Sequence, residues 1–179
     1  MGQTKPAGGP TQDEIMAISL FKMGLQREDT LLDLGCGTGK ISLAAARIAK
    51  KVYAVDRRPE AIRYTQEQAE QAGVTNIEFF CGEAMDFLKI DRTFDCAFIG
   101  GSKQIGEFLP VLSRRVKRTI VVNAVMVSTL ASGIDIMQQI GIFREAIQVQ
   151  VSRSYNIAGS VMFKPIDPVY IIVGKGAAC

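Results

Sequence analysis

The run Asp33-Leu34-Gly35-Cys36-Gly37-Thr38-Gly39 constrains this chain more than any other stretch. An apolar segment, Thr30–Leu34, leads into it and reads as a buried strand, and a helical pattern over residues 40–49 leads away. Glycines at alternate positions let the backbone turn sharply and approach a ligand that any Cβ would push away. The dinucleotide version of this strand-loop-helix device is spaced G-x-G-x-x-G and seats a pyrophosphate on the helix N-terminus. Here the spacing is G-x-G-x-G, with an acid, Asp33, just ahead of it. A carboxylate sits badly beside a pyrophosphate and well beside a cation. The loop therefore fits the cationic cofactor S-adenosylmethionine better than a dinucleotide, with Asp33, Gly35, Cys36, Gly37, Thr38 and Gly39 as its expected contacts. The alternative is a tight turn without a ligand.

Beyond the loop, strand and helix signals alternate. Strands are expected over Lys51–Asp56, 76–81, 94–99 and 119–123, and helices over 59–72, 103–115 and 128–140, with a helical turn at 84–88. Pro59 sits where a first helical turn tolerates proline, and Gly141 closes the last helix. Residues 1–10 (MGQTKPAGGP) read as an extended arm, and a single domain is expected over 11–179. Thr11 with Glu14 forms a capping-box pattern that opens a helix, turning Ile15, Ile18 and Phe21 to the core and ending at Gly24. In the tail, Ile147, Val149 and Val151 alternate with polar residues, and a second strand, 169–173, follows without a helix between. Two such strands are most simply antiparallel neighbours. The expected fold is α/β: a doubly wound, mostly parallel seven-stranded sheet with an antiparallel C-terminal strand pair, the arrangement of class I methyltransferases.

Composition removes several chemistries. The chain has no histidine, which excludes a histidine base, a Ser-His-Asp relay and histidine metal ligands. Cys36, Cys81, Cys96 and Cys179 lack CxxC spacing, so neither a disulfide framework nor a metal site is expected. A net charge of +3 lacks the concentrated basic stripe of a nucleic-acid binder. No apolar run reaches the roughly 18 residues of a membrane span, and no signal-peptide pattern opens the chain. A soluble, cytoplasmic protein is expected.

Further site candidates lie at the carboxyl ends of the strands, where open α/β sheets gather ligands. Asp56 is placed to hold ribose hydroxyls, or else to cap the helix that begins at Pro59. Glu83 is placed to accept from an adenine amino group, with Ala84 supplying a backbone N–H, or else it is a solvated helix-start acid. Gly100, Gly101 and Ser102 read as backbone passing close to substrate, or as a connector. Asn123 could face substrate or simply end its strand. Arg114, Arg115, Lys117 and Arg118 read as a solvated helix end, with a polycarboxylate site as the sharper alternative. The Asn/Asp-Pro-Pro-aromatic tetrapeptide of many nucleic-acid amino methyltransferases is absent after the fourth strand.

With these residues in view, the chain resembles the CbiT-type cobalt-precorrin methyltransferases of cobalamin biosynthesis. The resemblance spans about residues 9–174. It rests on Gly9-Pro10-Thr11 with Glu14-Ile15, the GCGTG loop, Tyr53-Ala54-Val55-Asp56-Arg57, Ile99-Gly100-Gly101-Ser102 and Asn123-Ala124-Val125. It implies methylation of carbon 15 of a tetrapyrrole with decarboxylation of the ring C acetate, and S-adenosylhomocysteine as the cofactor product. It also implies that Thr11 closes over the cofactor, with contacts from residues 35–39, Asp56 and Ala84. A homotetramer is implied, working beside a separate enzyme that methylates carbon 5. Gln12 and Met16 stand where the family commonly has lysine and arginine, and Lys40 where it often has a small residue. Ser102 and Asn123 are the catalytic candidates by position. Methylation of RNA at adenine N1 and a non-catalytic cofactor-binding subunit are the competing readings.

Overall fold

The computed structural model describes residues 6, 9, 11–100 and 105–178. Along these the chain forms α1 (Asp13–Met23), β1 (Thr30–Leu34), α2 (Lys40–Ala46), β2 (Lys51–Asp56) and α3 (Pro59–Gln71). Next come β3 (Ile77–Cys81), α4 (Ala84–Phe87), β4 (Phe94–Gly100), α5 (Ile105–Ser113), β5 (Val116–Ala124) and α6 (Val127–Gln139). Four strands follow: β6 (Phe143–Val149), β7 (Ser152–Ile157), β8 (Ser160–Pro165) and β9 (Val169–Lys175). Seven strands make one sheet in the order β3-β2-β1-β4-β5-β9-β6. β9 runs antiparallel to both β5 and β6, and the other pairs are parallel. The expected doubly wound sheet with a reversed pair at its end is what the chain forms.

The sheet has a core on each face. Because side chains alternate along a strand, adjacent residues serve opposite cores. Leu31, Val121 and Ile171 pack with Ile15, Met23, Ile41 and Ile62 on the α1–α3 side. Leu32, Val122 and Ile172 pack with Phe87, Leu109 and Met137 on the α4–α6 side. β4 and the later part of β5 are apolar along nearly their whole length because helices cover both faces. No helix among the described residues is long and apolar enough to cross a membrane.

Two expectations are corrected. α1 begins at Asp13 with Gln12 as its N-cap, and no side chain caps it, so the Thr11–Glu14 box does not form. Glu14 turns instead to Arg153, 2.8 Å away. The inward face of α1 is Ile15, Ser19 and Met23, while Phe21 is 81% exposed. Ile15 is in that core and Ile18 packs partly buried against it, but each step of three slips about 60° backwards around a helix, and the second step carries Phe21 off the core face that steps of four keep. The tail holds the second correction. Between the two expected strands stands a separate hairpin, β7–β8, turned by Ala158-Gly159 with both residues at positive φ. That is the backbone of a two-residue primed turn, reached here without the usual Asn or Asp.

Candidate active site

The strand order reverses direction between β1 and β4, and the glycine loop follows β1 at that point. Gly35, Gly37 and Gly39 all have left-handed backbones, at φ 76°, 57° and 73°. A Cβ on Gly35 would lie 2.6 Å from the Gly100 carbonyl oxygen, so the loop and the end of β4 meet backbone to backbone. A Cβ on Gly39 would lie 2.2 Å from the Thr65 methyl, which is how closely α2 approaches α3. The Gly35 and Cys36 amides both donate to the Val55 carbonyl, at 2.8 and 3.0 Å, which fastens the loop to the end of β2.

This loop forms one wall of a cleft of about 1220 Å3 at the carboxyl edge of the sheet. Thr11, Gln12, Gly35, Cys36, Gly37, Thr38, Asp56, Glu83, Ala84, Gly100 and Asn123 all line it. Gly39 is not on the wall, but its left-handed turn sets the start of α2. Gly101 and Ser102 lie outside the described residues. Asp33 is the candidate that the cleft does not reach. It is 0% exposed, under the loop, and accepts from the Ser42 hydroxyl. Its other oxygen has no hydrogen-bond partner among the described residues. Burial pushes this carboxyl up to about 7, against the pull of the Ser42 hydroxyl.

Asp56 is on the wall, and its carboxylate is engaged. Both the Arg58 amide and Nε donate to Oδ1, each at 3.0 Å. The Arg58 guanidinium also donates to Oδ2 at 2.9 Å, and the Gly37 amide to the same oxygen at 3.0 Å. Burial pushes the Asp56 carboxyl up, but these donors outweigh it and hold the group below the usual carboxylate range. A carboxylate offers about four lone-pair sites, so two hydroxyls can be gripped only if Arg58 gives way. Arg58 was not singled out as a site residue from the sequence, although Asp56-Arg57-Arg58 puts it two positions on. Glu83 is exposed and faces Arg57 at 3.8 Å. Burial and the carboxylates of Asp33 and Asp56 push the Cys36 thiol far up, so it stays protonated and is no nucleophile.

Asn123 ends β5 on the cleft, 8% exposed, and is tied to α1. Ser19 Oγ donates to its Oδ1 at 3.1 Å, and its Nδ2 donates back at 3.0 Å. That link spans 104 residues, and no local pattern could have announced it. The basic run lies elsewhere. Lys117 pairs with Asp95 at 3.3 Å, Arg115 with Asp91 and Arg118 with Asp29, all at the start of β5 and away from the cleft. Those three cations are paired within the protein, and no residue of the run lines the cleft. Among the described residues no cluster could hold a metal ion.

Residues 5–175 match the model of the precorrin methyltransferase domain family. The chain belongs to that family. A protein of Methanosarcina mazei named as a probable cobalt-precorrin-6B C(15)-methyltransferase (decarboxylating) is 48% identical over 174 residues, covering 94% of this chain and 95% of the relative. Among solved structures, a precorrin 8W decarboxylase of Methanobacterium thermoautotrophicum superposes with a TM-score of 0.89 at 27% identity, over 93% of this chain and 91% of that one. A precorrin-6y C5,15-methyltransferase of Geobacter metallireducens gives 0.88 at 25% identity, over 96% and 94%. The family resemblance read from the motifs is borne out, and with it the assignment of the chain as a methyltransferase.

Proposed function

We propose that this protein methylates carbon 15 of a cobalt-precorrin with S-adenosylmethionine and removes the ring C acetate carboxylate as carbon dioxide. The observation that carries the proposal is the cleft. Its glycine wall lets backbone touch a ligand, and its size exceeds the 300–1000 Å3 typical of a site for one small molecule. A nucleoside cofactor and a large flat acceptor therefore have room together. The relatives named for this reaction, matched over nearly their whole length, support the acceptor. They favour neither RNA adenine nor a non-catalytic subunit.

The residues fit the cofactor. Glycine backbones allow close contact at 35–39, Asp56 is ionised for the ribose once Arg58 turns aside, and Glu83 and Ala84 stand at the far wall for the base. Bound there, S-adenosylmethionine supplies an electrophilic methyl on its sulfonium and leaves as S-adenosylhomocysteine. The protein needs no strong base, because a reduced tetrapyrrole's meso carbon is already electron-rich. Its task is to hold carbon and methyl in line at near-attack distance. Phe98, Ile99, Phe108 and Val125 give the cleft apolar wall, where water is kept from the acetate whose carbon–carbon bond breaks. The electron pair of that bond stays with the conjugated ring. Asn123 spends one amide N–H on Ser19 and keeps a second for the acceptor. Gly100 lines the same cleft.

The working form we propose is a cytoplasmic homotetramer of one methyltransferase domain (residues 11–179), beside a separate carbon 5 methyltransferase. The β7–β8 hairpin supports assembly: Tyr155, Ile157, Val161, Met162 and Phe163 are all exposed on it. Incubation with S-adenosylmethionine and cobalt-precorrin-6B, read by mass spectrometry, tests the reaction. One methyl gained with carbon dioxide lost is expected, and a methyl gained without that loss overturns the decarboxylation. Asp56→Ala is expected to weaken cofactor binding about tenfold or more by calorimetry, and unchanged affinity removes the ribose role.

A further inference from the structure

Lys40 opens α2 just after Gly39, and a cation in the first turn of a helix faces the positive end of its dipole. Its position is explained by what it reaches. Nζ donates to the Thr11 carbonyl at 2.6 Å and lies 2.6 Å from the Asp13 carboxylate. The first helical acceptor of α1 is the Gln12 carbonyl, taken by the Met16 amide. The Thr11 carbonyl thus precedes the helix ladder, and Lys40 satisfies it. The segment Thr11–Asp13 becomes a strap fastened across the end of the glycine loop.

Gln12 sits between the two fastened residues and lines the cleft. Its Oε1 is buried and has no hydrogen-bond partner among the described residues. A buried acceptor left unpaired is costly, and proteins rarely leave one. Gln12 borders a ligand cleft, so the unpaired oxygen has a reason if its partner arrives with the ligand. In the reading above, Asp56 takes the ribose, and Glu83 and Ala84 take the base. The donor that remains on the cofactor is the α-ammonium of its amino-acid tail.

We propose that Lys40 latches the Thr11–Asp13 strap over the glycine loop and so holds Gln12 Oε1 to accept a hydrogen bond from that ammonium. Gln12 is then a binding residue and Lys40 a positioning residue. The proposal rests on the cofactor reading, and the experiment separates the two.

Calorimetry on the full chain compares S-adenosylhomocysteine with 5′-methylthioadenosine, which keeps the nucleoside and the sulfur but has no amino-acid tail. If the wild-type protein binds neither, the cofactor reading fails and this proposal with it. With binding established, Gln12→Leu is expected to weaken S-adenosylhomocysteine about tenfold and leave 5′-methylthioadenosine within about twofold. Gln12→Glu, which keeps an acceptor, retains the tailed ligand. Lys40→Met reproduces the tail-selective loss and Lys40→Arg restores affinity. Should Lys40→Met fail to fold, Asp13→Asn at an exposed carboxylate takes its place, with a loss of about threefold in the same direction. Equal weakening of both ligands by Gln12→Leu, or unchanged S-adenosylhomocysteine affinity in the latch variants, overturns the proposal.

Discussion

At the scale of single residues, the most telling is Asp33, whose buried carboxyl is raised to about 7. Its unfolded value is near 4, so between about pH 4 and pH 7 the folded state binds the extra proton. Stability from this group is therefore present at acid pH and lost as pH rises through 7. No histidine titrates across the same window to mask it. Melting temperature is expected to fall from pH 5 to pH 8 in the wild type and to fall less in Asp33→Asn. Parallel curves would remove Asp33 from the account. The acid was conspicuous in the sequence, but its burial was not. Strand alternation says that a residue faces a core, and only the helix laid over it, carrying Ser42, says that a carboxylate is sealed in. Arg58 is the second case. Because it saturates Asp56, Arg58→Met is expected to strengthen nucleoside binding about threefold. An affinity lower than wild type would mean that the guanidinium helps the ligand rather than competing with it.

At the scale of elements, the glycine loop behaves as its spacing promised, and its tolerance is narrow. Gly35→Ala forces a Cβ to within 2.6 Å of the Gly100 carbonyl at a φ of 76°. β1 and β4 must then part, and cofactor affinity by calorimetry is expected to drop at least about tenfold; near wild-type binding would show that the loop yields. The alternation of strands and helices was legible through β5 because each strand is apolar and bounded by glycine, proline or a polar turn. The hairpin was not, for a physical reason. All of β7 and β8 is exposed, so neither burial nor binary alternation marks it, and its turn lacks the Asn-Gly or Asp-Gly signature. Ala158 carries the cost of its left-handed backbone, at φ 47°. Ala158→Gly is expected to stabilise the hairpin by up to about 1 kcal/mol, seen as slower amide exchange at Tyr155 and Met162, which face each other across it. Faster exchange would count against the strain.

At the scale of the molecule, the hairpin is an appendage with a closed neck. The Ile166 amide donates to the Val151 carbonyl at 2.8 Å, so the chain leaves and rejoins the body at nearly one point. Replacing residues 152–165 with a short Gly-Ser turn is expected to leave the melting temperature of the sheet within a few degrees. The particle mass by light scattering is expected to fall below that of a tetramer, and an unchanged mass would move the interface elsewhere. The sheet itself carries a consequence for how the chain is made. β9 lies between β5 and β6, yet it is synthesised after both. While a ribosome is still adding the residues before Val169, β5 presents an open edge of unpaired amides and carbonyls, the kind of edge on which chains misassociate. β3, β2, β1 and β4 already have their partners by then. Until Val169 and the residues after it are made, neither β5 nor β6 can take its place beside β9, and that interval is when a chaperone has something to protect.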